Sequence, residues 1–147
     1  MFNIVSFYPP AGNYPPSQHP PSVRISINFP GDPQFVTSLS EYLNHTIYVY
    51  ANGFTYDTTF QHMSSNATSK LAGLPAYSLK YSDVNNDDKS PYTAIELGTI
   101  ISGKVLFVVY AADSTSFSTF LPTVLKMIDS LRLNEHAIEQ ITPQNFK

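Results

Sequence analysis

The side chains that most often carry catalysis are few in this sequence, and they are widely separated. The four histidines fall in four different segments, without the spacing of a metal site: His19, His45, His62 and His136. The sequence contains no nucleophile elbow, phosphate-binding loop, dinucleotide fingerprint or zinc-protease motif. We therefore assign no catalytic, cofactor-binding or metal-binding residue, and we expect no cofactor.

Glu96 is the one carboxylate that falls inside a predicted strand. A carboxylate at such a position can act as a general base when the fold shields it from water. A single acidic residue in a strand more often lies on the polar side of the sheet. We therefore expect Glu96 to face solvent and to take no part in chemistry.

The segment from Asp83 to Asp88 begins like a calcium-binding loop, with oxygen-bearing side chains at alternate positions. The position that requires glycine holds Asp88, and the position that requires a bidentate glutamate holds Ala94. Both departures remove features on which calcium affinity depends. We predict a solvated loop without a tight metal site; a weak divalent-cation site is the alternative.

Two triplets, Asn44-His45-Thr46 and Asn66-Ala67-Thr68, match the pattern of N-glycosylation acceptors. So short a pattern also arises by chance in a chain rich in Asn and Thr. The first triplet falls inside a predicted helix. The sequence leaves open whether Asn44 or Asn66 is glycosylated.

The composition indicates a single domain over residues 1–147. Charged residues make up 13% of the chain, about half of the usual ~25%. The net charge of −3, with only eight Lys and Arg, argues against nucleic acid as a partner, because nucleic acid requires a basic surface. The chain has no cysteine and no apolar run near the ~18 residues of a membrane span, so we predict neither a disulfide nor a membrane span.

Prolines dominate residues 9–22, which contain three Pro-Pro pairs. Such pairs favour polyproline II and cannot occupy a central strand. We interpret this stretch as a stiff loop that joins strands over Asn3–Tyr8 and Ser22–Phe29, the second of which alternates apolar and polar residues. Docking of the prolines into an aromatic groove on a partner is the alternative.

A helix is predicted after Ser38, because Ser38 and Glu41 form a capping box at its start. Apolar residues then recur at helical spacing, and Gly53 lies just past the expected end. Antiparallel strands are predicted beyond it: residues 58–63, residues 70–82, and a hairpin over residues 92–111. Gly73 and Pro75 indicate a bend or bulge in the second of these, and Ser102-Gly103 is the hairpin turn.

The segment Val105–Tyr110 is apolar at nearly every position, which indicates a central strand that is covered on both faces. The following helix is expected to begin near Ser118 or Thr119, so that Pro122 falls in its first turn, where a missing N–H costs little. An apolar stripe at helical spacing should face the sheet: Phe117, Phe120, Leu121, Val124, Leu125, Ile128 and Leu131.

The second half of the chain resembles the PsbP-like family over Leu71–Leu133, and Ser22–Gly53 resembles it more loosely. The motifs are a G-x-P-A-Y strand, a hairpin with a Gly-Lys turn, a buried strand ending in Y-x-A and a helix ending in M-I-D-S. These motifs match Gly73, Pro75, Ala76 and Tyr77; Gly103 and Lys104; Tyr110 and Ala112; and Met127, Ile128, Asp129 and Ser130. The lack of cysteine and the abundance of Asn, Ser and Thr resemble the archaeal members.

The resemblance implies an α+β fold in which a central, mostly antiparallel sheet is sandwiched by helices, the PsbP-like αβα sandwich. It also implies a non-enzymatic accessory or binding domain outside the cytoplasm. The photosystem II role of plant and cyanobacterial relatives does not carry over, because the matched residues are turn and core residues. One alternative is a small-ligand carrier or enzyme with a pocket between sheet and helix, which converging polar groups and a perturbed carboxylate would favour. Another is a cytoplasmic interaction module.

The start of the chain departs from the family, which usually opens with a Y-P-x-x-W segment and its own strand. This sequence has no Trp, and its first residues align better with the family's second strand. We therefore expect an upstream segment with a signal peptide or lipid anchor. The strand Asn3–Tyr8 would then lie at a sheet edge, and apolar edges recruit other strands. We predict that the C-terminal tail 134–147, a second copy of the chain or a protein partner covers it.

Overall fold

A six-stranded antiparallel sheet is the main element of the computed structural model, which describes residues 1–10, 12, 20–30, 38–53 and 59–146. The elements are β1 (Phe2–Phe7), β2 (Ser22–Asn28), α1 (Leu39–Asn52), β3 (Gln61–Leu71), β4 (Leu74–Val84), β5 (Pro91–Ile101), β6 (Lys104–Asp113), α2 (Phe117–Ser130), α3 (Glu135–Glu139) and a 3-10 turn (Pro143–Phe146). The strand order is β1-β2-β6-β5-β4-β3. The predicted α+β class with an antiparallel sheet is confirmed. Most of the Pro-rich loop 9–22, with His19, lies outside the described residues.

The predicted central strand is confirmed as β6, which pairs with β2 on one side and with β5 on the other. Every residue from Val105 to Ala112 is buried. Burial on both faces explains why the strand is apolar without alternation.

The two long helices pack against different strand residues. Tyr42 and Leu43 of α1 share a cluster with alternate residues of β4 and β6: Tyr77, Leu79, Tyr81, Val105, Phe107 and Val109. Residues of α2 share a second cluster with the intervening strand positions: Ala76, Val108, Tyr110, Ala112, Phe117, Val124 and Ile128. Because successive strand residues point to opposite sides, we call these sides the α1 face and the α2 face.

Two tight turns close the hairpins of the sheet. The predicted turn at Ser102-Gly103 is confirmed, with positive φ angles of 48° and 73° that match the twist of the flanking strands. The prediction of a bend or bulge within one strand at Gly73 is wrong. Ala72 and Gly73 instead form a second tight turn with positive φ angles, which joins β3 to β4. The strand β3 accordingly runs to Leu71, well beyond the predicted residues 58–63.

Both predicted helices are present, and the second differs in detail. Ser38 Oγ accepts a hydrogen bond from the Glu41 backbone N–H at 3.1 Å, as the capping box requires. The helix α2 begins at Phe117, earlier than expected, so Pro122 lies inside it. Leu125 was expected to face the sheet but is 41% exposed, because it lies at the outer margin of the stripe. None of the helices in the described ranges is long and apolar enough to cross a membrane.

The C-terminal tail packs beside the β5–β6 hairpin. Ile138 of α3 is buried against Ile27, Ile101 and Leu106, and Lys104 Nζ donates to the Ile138 carbonyl oxygen at 3.1 Å. Among the described residues, β1 pairs with β2 and with no other strand. The described part of the tail, residues 134–146, forms no strand and therefore does not extend the sheet at β1. A second copy or a protein partner remains as the predicted cover.

Candidate functional site

Glu96 lies at the centre of a group of tyrosines on the α1 face. It is directly opposite Leu79 of β4 and Val109 of β6, and its side chain is only 2% exposed. The α1 helix contributes Tyr42 and Tyr50 to the group, and β4 contributes Tyr77 and Tyr81. We call these five residues the Glu96 cluster: Glu96, Tyr42, Tyr50, Tyr77 and Tyr81.

Both carboxyl oxygens of Glu96 accept hydrogen bonds from tyrosine hydroxyls. Tyr50 donates to Oε2 at 2.9 Å, and Tyr77 donates to Oε1. Within the described ranges no buried side-chain nitrogen or oxygen lacks a hydrogen-bond partner. The carboxyl group is therefore satisfied by the protein itself, as a buried polar group must be if it is not to destabilise the fold.

A glycine makes room for one of these donors. Gly98 lies directly opposite Tyr77, and a Cβ at residue 98 would be 2.6 Å from the Tyr77 hydroxyl oxygen and closer still to two carbons of the ring. Contacts between heavy atoms are normally about 3.5–4.0 Å. The missing side chain of Gly98 is therefore what allows the Tyr77 ring to lie across the strand and reach Glu96.

Burial dominates the electrostatics of the cluster. It raises the pKa of the Glu96 carboxyl, while the hydrogen bonds from Tyr77 and Tyr50 and the positive charge of Arg24 oppose the increase. Burial and the nearby Glu96 also raise the pKa of Tyr50 and Tyr77 well above its ordinary value. Both tyrosine hydroxyls therefore stay protonated at neutral pH, where each can donate a hydrogen bond to a carboxyl oxygen of Glu96.

This arrangement corrects the expectation that Glu96 faces solvent. Its strand lies between β4 and β6, and the tyrosines of α1 and β4 enclose its side chain on the α1 face, so Glu96 is buried. The sequence did contain an indication: Tyr77 and Tyr81 alternate in the neighbouring strand, and tyrosines within an apolar pattern need a buried partner for their hydroxyls.

The histidines in the described ranges are not brought together. His45 is half-buried on α1, His62 contacts Ser65 Oγ at 2.9 Å on β3, and His136 is 3.7 Å from Glu139 on α3. No group of three or more His, Asp or Glu side chains that could hold a metal ion occurs in the part of the chain that the structure describes.

The Asp83–Asp88 segment runs from the end of β4 into a turn, where side chains bind the local backbone. Asn85 Oδ1 accepts from the Asp87 N–H at 2.9 Å, and Asp88 Oδ1 accepts from the N–H of Ser90 at 2.8 Å. Of the two glycosylation triplets, Asn44 is exposed on α1, and Asn66 is exposed on β3, where its Oδ1 accepts from the Ser69 hydroxyl at 2.7 Å.

An apolar cleft of about 300 Å³ lies between α2 and the N-terminal part of the sheet. Its apolar lining includes Phe7, Pro10, Pro21, Phe120 and Met127. It belongs to the α2 face, whereas Glu96 belongs to the α1 face. The Tyr110 hydroxyl, on a residue that also lines the cleft, donates to the Phe117 carbonyl at 2.8 Å. The perturbed carboxylate and the cleft are therefore separate features.

The edge strand β1 exposes apolar side chains. Ile4 and Phe7 are each 44% exposed, and the adjoining Tyr8 is 60% exposed. No charged side chain occurs from Met1 to Pro10. Proteins usually protect an edge strand with charge, proline or a covering segment. Of these three protections, the prolines Pro9 and Pro10 directly follow β1 in the described part of the chain.

The fold and the Glu96 cluster define an α+β protein whose central carboxylate is enclosed by the core. No family model and no curated protein matches the chain. A solved structure that is similar in fold is "Crystal Structure of Protein of Unknown Function PA94 from Pseudomonas aeruginosa, Putative Regulator". Its TM-score is 0.69 at 14% sequence identity, over 88% of this chain and 82% of that one. At this identity the likeness concerns the fold alone.

Proposed function

We propose that this chain is a non-enzymatic PsbP-like accessory or binding domain that acts outside the cytoplasm, with the αβα sandwich of that family. The packing of α1 and α2 against alternate strand residues supports the sandwich. Several of the residues that carry the resemblance have structural roles here, which fits a likeness in fold. Gly73 and Gly103 lie in hairpin turns, and Lys104 binds the end of α3.

The state of Glu96 is the observation that carries the non-enzymatic part of the proposal. A general base must reach the proton it removes, either directly or through one water. Glu96 is 2% exposed, and both of its oxygens are occupied by Tyr50 and Tyr77. Its hydrogen bonds link α1, β4 and β5, so its role in this proposal is to join the helix to the sheet.

The β1 edge supports the binding part of the proposal. It is the edge strand of the sheet formed by the described residues, and it carries the exposed side chains of Ile4 and Phe7. Main-chain groups at a sheet edge bind an added strand, and neighbouring apolar side chains strengthen that contact. The kind of ligand that suits such an edge is another polypeptide.

Site-specific photo-crosslinking tests this function in the cells that produce the protein. A photoreactive residue at Ile4 should give an adduct with a protein chain. The same residue at Met63, which is 54% exposed on the opposite edge strand β3, is the control and should give none. Equal labelling from both positions, or none from Ile4, would contradict a binding function of β1. An activity lost in Glu96→Gln with the fold retained would contradict the non-enzymatic part.

Protease treatment of intact cells tests the compartment. The extracytoplasmic part of the proposal rests on the family resemblance, and it predicts that added protease removes the protein while a cytoplasmic marker persists. Protection until the cells are lysed would favour the cytoplasmic interaction module instead.

The cleft favours a second candidate function, that of a carrier for a small apolar molecule. Its volume of about 300 Å³ lies at the lower end of the range of ligand pockets. A naphthylamine dye that fluoresces in apolar surroundings should then bind, and Thr123→Trp, at an exposed residue of the cleft lining, should abolish its signal. No fluorescence increase with the native protein would remove this candidate.

A further inference from the structure

The six residues of β1, Phe-Asn-Ile-Val-Ser-Phe, have the same order of apolar and polar side chains in both directions. Reversal of the strand exchanges Phe2 with Phe7 and Asn3 with Ser6. A two-fold axis brings a strand against its own reverse, so that residue i meets residue j and j meets i. The outer edge of β1 therefore has a sequence that is complementary to itself.

An irregularity in β1 makes this symmetry geometrically possible. In a regular strand, residues 2 and 7 would point to opposite faces, because successive side chains alternate. Phe2 lies opposite Ile27 and Phe7 lies opposite Val23, whose spacing in β2 is even, so both belong to one face. The register shift between Asn3 and Val5 adds the one residue that this requires.

The same shift places the two polar residues together on the other face. Asn3 lies opposite Ser26 and Ser6 lies opposite Arg24, and Asn3 Nδ2 donates to Ser6 Oγ at 2.8 Å. The two halves of β1 thus present apolar side chains on the α2 face and amide or hydroxyl groups on the α1 face. A second β1 turned by a half rotation presents the same pattern.

We propose that β1 pairs antiparallel with β1 of a second copy of this chain, across a two-fold axis between Ile4 and Val5. Phe2 of each copy then lies opposite Phe7 of the other, and Asn3 lies opposite Ser6. The two sheets join into one. This inference rests on the proposed function in that it names the polypeptide that the edge binds.

The opposite edge of the sheet lacks these properties. The strand β3 is polar along most of its length, it carries Lys70, and its register with β4 shifts at two places. Charge and bulges both discourage the addition of a strand to an edge. The contrast selects β1 as the contact. It also predicts that pairing stops at two copies, since the charge and bulges of β3 discourage a further strand.

The joined edge is continuous with the cleft. Phe7 lines the cleft, so Phe2 of the second copy, which lies opposite Phe7 on the same face, reaches its mouth. Aromatic pairs across neighbouring strands are among the stabilising cross-strand contacts. Dimer formation therefore covers apolar surface that the single copy leaves exposed.

Sedimentation equilibrium of the full chain, from micromolar to near-millimolar concentration, tests the association. The native chain should be a dimer at the upper end. Ile4→Lys places two like charges beside the axis and should weaken the dimer about tenfold or more. Met63→Lys makes the same type of change at an exposed position on β3 and should leave the dimer unchanged. Thermal melts of both variants verify that each is folded.

Disulfide formation between two single variants tests the register. The chain has no cysteine of its own. In the proposed register residue 3 is opposite residue 6, at a Cα separation of about 4.5–5.5 Å that a disulfide can span. Because of the register shift, residues 3 and 6 lie opposite β2 residues that are two apart, so identical residues of the two copies are about 7 Å apart along the strands and about 8 Å apart in all, more than a disulfide spans. An oxidised mixture of Asn3→Cys and Ser6→Cys chains should therefore yield linked dimers, and each variant alone should not.

The outcomes separate this proposal from the function. A monomer at every concentration, or crosslinking of a single variant as efficient as that of the mixture, would overturn the two-fold β1 contact. If Ile4 in cells then labels a different protein, the binding function stands without the dimer. A dimer in the predicted register together with an activity that is lost in Glu96→Gln would support the dimer and contradict the non-enzymatic part of the proposed function.

Discussion

Replacement of Gly98 by alanine would place a methyl group where the Tyr77 ring now lies. The new Cβ would be 2.6 Å from the Tyr77 hydroxyl oxygen, and heavy atoms need about 3.5 Å, so the ring must move by roughly 1 Å. An O–H···O hydrogen bond lies within about 2.5–3.0 Å, and a displacement of this size breaks it. The mutation thus acts on Glu96 without touching it.

The expected cost combines three effects. Overpacking of a buried site costs about 1–3 kcal/mol. Loss of the Tyr77 hydrogen bond to the buried Glu96 carboxyl adds about 1.5–3 kcal/mol. Replacement of glycine in a strand returns about 0.4–1 kcal/mol through the unfolded chain. We expect Gly98→Ala to lower the free energy of unfolding by roughly 2–5 kcal/mol, which most domains survive.

A double-mutant cycle measured by urea unfolding separates the hydrogen bond from the clash. Tyr77→Phe should cost about 1.5–3 kcal/mol, since it leaves one oxygen of Glu96 without its donor. In the Tyr77→Phe background the methyl at residue 98 still meets the ring but breaks no hydrogen bond, so the two costs should fall short of additivity by about that amount. Gly103→Ala is the control: no atom lies within 4 Å of its Cβ, and only its positive φ penalises it. Full additivity, or a Gly98→Ala variant as stable as the native chain, would refute the reasoning.

Further predictions concern the core, metal ions and pH. Val108→Ala should cost about 2–4 kcal/mol in urea unfolding because Val108 is 1% exposed, whereas Leu125→Ala should cost much less because Leu125 is 41% exposed; equal costs would contradict the packing of α2. Calcium or zinc should leave the melting temperature unchanged, and a rise of several degrees at micromolar metal would reveal a site. Burial raises the pKa of the Glu96 carboxyl, so the folded chain holds this proton more tightly than the unfolded chain does. The resulting stabilisation is complete below the unfolded pKa near 4.5 and is lost as pH rises through the folded pKa. Glu96→Gln should therefore flatten the decline in the free energy of unfolding over that pH window.

Elements whose local and tertiary preferences agree could be predicted from the sequence. The apolar segment Val105–Tyr110 is the central strand β6, the capping box at Ser38 begins α1, and Ser102-Gly103 closes a hairpin. In each case a single physical requirement selects the residue type. The requirement is burial on both faces for β6, a hydrogen-bond acceptor for a free N–H group at the start of α1, and a positive φ in the hairpin turn. The α+β class with an antiparallel sheet follows from these elements.

The features that depend on distant contacts were not predicted from local patterns. The strand β3 has little apolar alternation because most of its side chains are exposed, so its sequence resembles a loop. The buried state of Glu96 depends on Tyr50, which is 46 residues away in the sequence. The position of the tail depends on the fit of Ile138 against Ile27 and Leu106, which no local pattern encodes.

Hydrogen exchange along β1 at two protein concentrations tests most directly whether this edge is the contact surface of the domain. The amides of Asn3–Phe7 that do not bond to β2 should exchange slowly at high concentration. They should exchange faster on dilution and in the Ile4→Lys variant, while the outward amides of β3 exchange at one rate throughout. Outward β1 amides that exchange equally fast at every concentration would contradict the account, because the edge would then be open.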